Sequence, residues 1–194
     1  SEDGKYSIQE GDSTPASVSA NTTLIFAKDC NLTIDSNLSS AVSVGDIQTS
    51  GNLEIVDNNA SGQHATIKSI TANGALTMND YYGIVSGDIS AVGNISLAGN
   101  GLSGTIGTAG ANNTISTSAG TITIKMASSG TLNSNVKNTG TGDIFVTNSN
   151  TQKTVTSDIT AEEGTDYLKG YNASIDSALF SGKIYAEKGL TVTY

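Results

Sequence analysis

The sequence predicts an all-β protein built as a parallel β-helix, a β-solenoid of about eight coils of about 23 residues. Three observations carry that expectation. Ser (26), Thr (25), Asn (18) and Gly (22) fill 91 of the 194 positions, yet 36% of the chain is hydrophobic, with Val, Ile and Leu throughout. Disordered chains are poor in β-branched residues, so this composition reads as ordered strands joined by polar turns. No window rich in Ala, Glu, Lys and Leu repeats at a 3.6-residue period, which excludes long helices. Above all, the sequence repeats itself.

One unit reads apolar, x, small, x, Gly, x, apolar, x, apolar. Phe26–Ile34 is FAKDCNLTI, Ile47–Ile55 is IQTSGNLEI, Ile70–Met78 is ITANGALTM and Ile89–Leu97 is ISAVGNISL. Ile115–Ile124 (ISTSAGTITI) carries one inserted residue, and Asn138–Val146 is NTGTGDIFV. Looser copies begin at Ile159 and Ile184. The fifth position falls at Cys30, Gly51, Gly74, Gly93, Gly120, Gly142, Gly164 and Gly189. A wobbling period suits a solenoid, in which loops vary while strands stay in line.

Each element follows from alternation. In a strand Leu53 and Ile55 face inward while Asn52 and Glu54 face out. Leu53, Ile55, Leu76, Ile95 and Leu97 are expected to stack in line. The small third position (Thr49, Ala72, Ala91, Thr117, Gly140, Ala161, Ala186) also faces inward, and the following Gly is expected to turn a corner at positive φ. A second strand precedes each unit (Val42–Val44, Ala65–Ile67, Ile84–Ser86, Val155–Ser157, Leu179–Ser181), and a third is expected in each coil. Residues 1–21, with Tyr6, Ile8 and Pro15, read as an N-terminal cap. Residues 22–194 form the solenoid, with a capping insert near 166–180 that carries Tyr167, Leu168, Tyr171, Ile175, Leu179 and Phe180. The final stretch, Gly189–Tyr194, alternates and offers a strand edge for pairing between chains.

Charge and cysteine bound the partners. Nine Lys, no Arg and eighteen Asp plus Glu give a net charge of −9. Phosphate surfaces need clustered cations, so no nucleic-acid partner is expected. A single cysteine, Cys30, excludes an internal disulfide and a Cys-based metal site. No apolar run approaches the roughly 20 residues of a membrane-spanning helix, and no membrane insertion is expected. The start at Ser1 shows no leader pattern, so a mature or trimmed product is expected. Seven Asn-x-Ser/Thr sequons (Asn21, Asn31, Asn37, Asn59, Asn94, Asn112, Asn172) carry no glycosylation signal in so Asn- and Ser-rich a chain.

The units SGNLEI, NGALTM and VGNISL, recurring between Ser/Thr/Asn-rich loops, resemble the haemagglutinin-like and autotransporter-passenger β-helices of bacterial surface adhesins. The resemblance is architectural and spans about residues 24–194. It implies a right-handed helix, secretion and display on a bacterial cell surface.

Chemistry-bearing residues are sparse. His64, the only histidine, lies in a loop without an identifiable Ser, Cys or Asp partner, and Cys30 reads as a small corner residue. Some parallel β-helices degrade pectin, but Arg is absent here, and adjacent Glu162 and Glu163 (near Asp166) point to opposite faces. No catalytic, cofactor or metal residue is therefore assigned, and the chain is expected not to be an enzyme. Calcium is the one cofactor the polar corners admit, at Asp35–Asn37, Asp57–Asn59, Asn79–Asp80 and Asn148–Asn150, where turn formation explains the same residues. Asn31 and Asn52 are expected to ladder. The outward row Thr33, Glu54, Thr77, Ser96, Thr123, Phe145 is too broken for an ice-binding face. Of Tyr81 and Tyr82, one faces the core and the other leaves a single platform suited to a sugar. The expected function is a non-catalytic, secreted or cell-surface adhesive or structural module. Alternatives are a fibre or pilus-like filament subunit joined through solenoid ends, and a carbohydrate-binding module. Expected partners are other surface proteins, glycans or further copies of the chain.

Overall fold

The computed structural model describes residues 5–8, 21–34, 40–57, 60–61, 63–148, 158–169, 184–186 and 189–193. Its regular elements are all strands, and every strand pair is parallel. They stack in three rows. Row one holds Lys5–Ile8, Cys30–Ile34, Leu53–Val56, Leu76–Thr77, Ile95–Leu102, Ile122–Met126, Ile144–Asn148, Thr165–Lys169 and Gly189–Thr193. Row two runs from Leu24–Phe26 through Ile47–Thr49, Ile70–Ala72, Ile89–Ala91, Thr114–Thr117, Asn135–Asn138 and Ile159–Ala161 to Ile184–Ala186. Row three is shorter: Val42–Val44, Ala65–Ile67, Ile84–Val85, Thr105–Ile106 and Thr131–Leu132. Each turn visits row three, then two, then one. Five turns, beginning at Val42, Ala65, Ile84, Thr105 and Thr131, carry a strand in all three rows. The chain is thus a parallel β-solenoid.

Alternation fills the interior with columns. Leu53, Leu76, Ile95, Ile122 and Ile144 stack one above another in row one, and Ile55, Leu97, Ile124 and Val146 line the same interior. Ile47, Ile70, Ile89, Ile115, Val136 and Ile159 do the same in row two, and Val44, Ile67, Val85, Ile106 and Leu132 in row three. All are buried. Each such side chain contributes about 1.5–3 kcal/mol when removed from water, and a single turn has nothing to bury it against except its neighbours.

At the corner between rows two and one, Thr49, Thr117 and Asn138 bring polar groups into the interior. There the Thr49 hydroxyl donates to Lys28 O (2.7 Å), Thr117 to Gly93 O (2.6 Å), and Asn138 Nδ2 to Gly120 O and Gly142 O (both 2.7 Å). The corner frees carbonyls from the ladders, and these side chains satisfy them. Outside the same corner, side-chain oxygens accept from the next turn's backbone. Asp29 accepts from Asn52 N (2.7 Å), Asn52 from Ala75 N (2.8 Å), Asn94 from Thr121 N (2.9 Å) and Asp143 from Thr165 N (2.9 Å).

Several expectations are corrected. Coil one is shifted by two residues: Phe26 pairs with Thr49 and Cys30 with Leu53. Cys30 is therefore a core residue rather than the corner, and the ladder to Asn52 starts at Asp29, not Asn31. Asn31 instead lies beside Glu54 and donates to its carboxylate, so it, not Thr33, shares the outward row with Glu54 and Thr77. The third position of the Asn138 unit is Asn138 itself, aligned with Thr117, rather than Gly140. Gly51, Gly74, Gly93, Gly120, Gly142 and Gly164 do not turn at positive φ; among described residues that conformation belongs to Gly99, Gly101, Gly107, Gly110 and Asp80. Their role is close approach: a Cβ on Gly120 would lie 2.2 Å from the carbonyl carbon of Gly93. Thr165–Lys169 continues row one, so the first part of the segment read as a capping insert is solenoid strand. The rest, 170–180, lies outside the described residues, as do Val155–Ser157 and Leu179–Ser181. Within the expected cap, Lys5–Ile8 is a row-one strand.

Candidate functional site

Where the chain leaves row one for row three, one corner differs from the others. Alternation puts Tyr81 inside, fully buried, and leaves Tyr82 half-buried at the surface. Burial, with the nearby Asp57 carboxylate, raises the Tyr81 phenol well above its ordinary pKa. Tyr82 N donates to Asp57 O (2.8 Å). Its ring stacks on His64, with centroids 6.1 Å apart and planes at 13°. His64 Nδ1 in turn lies 2.8 Å from Asp57 Oδ1.

Asp57 is only 2% exposed, and desolvation raises its pKa against the opposing pull of His64 and the Ala65 amide. Its Oδ2 and the Tyr81 hydroxyl have no hydrogen-bond partner. Both lie within 3 Å of the point a Cβ on Gly83 would occupy, so position 83 has no room for a side chain.

A groove of about 370 Å³ opens beside Tyr82, lined across three successive turns by Asp80, Tyr82, Asn100, Ser103, Ser128 and Ser129. A bulge makes its wall. Ile95–Leu97 pair in step with Ile122–Ile124, but the next pair is Leu102 with Met126, so residues 98–101 loop out. The bulge needs left-handed backbone at Gly99 (φ +72°) and Gly101 (φ +133°). Asp80 adopts φ +56°, a rare conformation for a residue with a side chain, and its carboxylate accepts from Asn100 N. Lys125 Nζ donates to Gly99 O (2.9 Å) and ties the bulge to the next turn.

The other sequence candidates are dispersed. Glu162 pairs with Lys137 (2.7 Å) at the surface, while Glu163 is exposed. Asp166 is fully buried in the row-one column above Ile144, and burial together with Asp143 raises its pKa to about 7. Cys30 is buried, which pushes its thiol up to about 11. Among described residues no three His, Cys, Asp or Glu converge as a metal site. Of the polar corners, Asp57 turns inward and Asn79 accepts from Ser96 Oγ and Ala98 N; Asp35–Asn37, Asn58–Asn59 and Ser149–Asn150 lie outside the described residues.

Sequence reasoning missed the Asp57 partner of His64, because it lies across a polar loop that no periodicity marks. It also missed the bulge, although the run Ala98-Gly-Asn-Gly101 within the longest spacing of the repeat was its signal. Compared with known proteins, the chain matches no protein-family model, and no curated protein or solved structure is significantly similar to it.

Proposed function

We propose that this chain is a non-catalytic adhesive or structural module, a right-handed solenoid of about eight coils secreted to or displayed on a bacterial cell surface. One observation carries the reading: parallel strand pairing continues from turn to turn through rows one and two, making a stiff body whose outer columns are mostly Ser, Thr, Asn and Gln. Such a body holds binding groups at fixed spacing and gains its stability from stacking rather than from a site. The Asp57–His64 pair has the form of an orienting carboxylate and imidazole. The imidazole stacks on Tyr82, and the reading gives it a supporting role there.

The test is adhesion. Beads coated with the protein are presented to immobilised glycans, surface proteins and whole cells, with albumin-coated beads as control, and antibody labelling of intact source cells checks display. Retention above control supports the module. No retention, or turnover of polygalacturonate, counts against it.

The filament alternative draws support from Gly189–Thr193 and Lys5–Ile8, which among the described strands stand at the two ends of the nine-stranded sheet. Light scattering at several concentrations with electron microscopy separates it from the isolated module: concentration-dependent rods favour the filament.

A further inference from the structure

We infer that the groove beside Tyr82 is a binding subsite for a neutral carbohydrate. The inference rests on the adhesive reading and deepens it by naming the ligand class and the residues that meet it.

Four observations converge on this one corner. First, the groove volume, about 370 Å³, falls within the range of about 300–1,000 Å³ typical of small-molecule sites. Second, its lining suits a ring bearing hydroxyls. Tyr82 supplies an aromatic surface, and Ser103, Ser128, Ser129, Asn100 and Asp80 supply donors and acceptors. These six side chains carry one carboxylate and no cation, in a chain of net charge −9, so acidic sugars and phosphates are disfavoured.

Third, the aromatic ring is held by its neighbours. Asp57 is buried and lies against His64, and His64 stacks on Tyr82 at 13°. A platform fixed before binding loses little side-chain freedom when a ligand arrives. Fourth, three of the five positive-φ residues among those described lie at this corner. Asp80 is the sole non-glycine positive-φ residue among those described, and Gly99 and Gly101 shape the bulge opposite it. Unfavourable backbone of this kind collects at binding sites, where its cost is retained for the shape it makes.

Isothermal titration with maltohexaose, cellohexaose and chitohexaose, and with sialyllactose as the acidic control, tests the inference. At least one neutral oligosaccharide is expected to bind with one-to-one stoichiometry, and sialyllactose more weakly. Tyr82→Ala is expected to weaken binding about tenfold or more, and Tyr82→Phe to leave it nearly unchanged. Ser129→Trp, at an exposed position, is expected to fill the groove and abolish binding while the melting transition stays in place. It decides the matter if Tyr82→Ala fails to fold. The inference is overturned if no neutral oligosaccharide binds, or if binding survives Ser129→Trp. Should coated beads adhere equally well with Ser129→Trp, the adhesive reading stands and the groove is not its site.

Discussion

His64 Nδ1 and Asp57 Oδ1 lie 2.8 Å apart, joining a surface ring to a carboxylate that is 98% withdrawn from solvent. The pair closes a loop of the solenoid and braces Tyr82, so its loss acts on stability and on the groove together. Asp57→Ala is expected to destabilise the protein by about 1–3 kcal/mol, because the Ala65 amide and the His64 ring lose their acceptor. Urea denaturation measures this. An unchanged midpoint would show that the pair contributes nothing.

Asp166 makes stability depend on pH. Its folded pKa is raised from 3.8 to about 7, so the folded state holds a proton that the unfolded state has released. Stability therefore falls as pH rises through that window, by at most about 1.4 kcal/mol per pH unit, and levels off above it. Asp57 is shifted in the same direction and adds to the fall. Asp166→Val, which continues the column above Ile144, is expected to stabilise the protein more at pH 8 than at pH 5. Equal stabilisation at both pH values would refute the assignment.

Cys30 is expected to be inert in the native protein. It is 5% exposed, and its thiol is raised to about 11, so almost none is thiolate at pH 8. Its reaction with a disulfide reagent should be about a hundredfold slower or more than in 6 M urea, where the same thiol titrates near its ordinary value of about 8.5. Rapid labelling of folded protein would contradict the two-residue shift that puts Cys30 beside Leu53.

The stacking itself is tested at Leu76 and Gly120. Leu76→Ala should cost about 2–5 kcal/mol, as buried leucine truncations do. Gly120→Ala should destabilise by about 1–3 kcal/mol or more, because the new methyl meets the backbone of Gly93 and Asn94 rather than a side chain that can swing away. A melting temperature unmoved by Gly120→Ala would mean that the turns are not this closely spaced.

The repeat by itself determined the architecture. Alternation has a period of two, so Leu53, Leu76 and Ile95 had to share a face, and a face that recurs every turn can be buried only by stacking. From alternation it also followed that one of Tyr81 and Tyr82 is inside. What the repeat left open was decided by contacts between turns. A shift of two residues preserves alternation, so Phe26–Ile34 fits the pattern in either register; only the pairing of Cys30 with Leu53 selects one. The glycines were legible as corners, but their reason, backbone carbonyls of the neighbouring turn close to the missing Cβ, exists only once the turns are stacked. Asp166 looked like the edge of an insert, because a carboxylate breaks an apolar pattern, whereas backbone pairing holds it in the column regardless. The groove joins residues from three turns and depends on an extruded bulge. No local rule brings Tyr82, Ser103 and Ser129 together, because their proximity is set by the rise from one turn to the next and not by their distance along the chain.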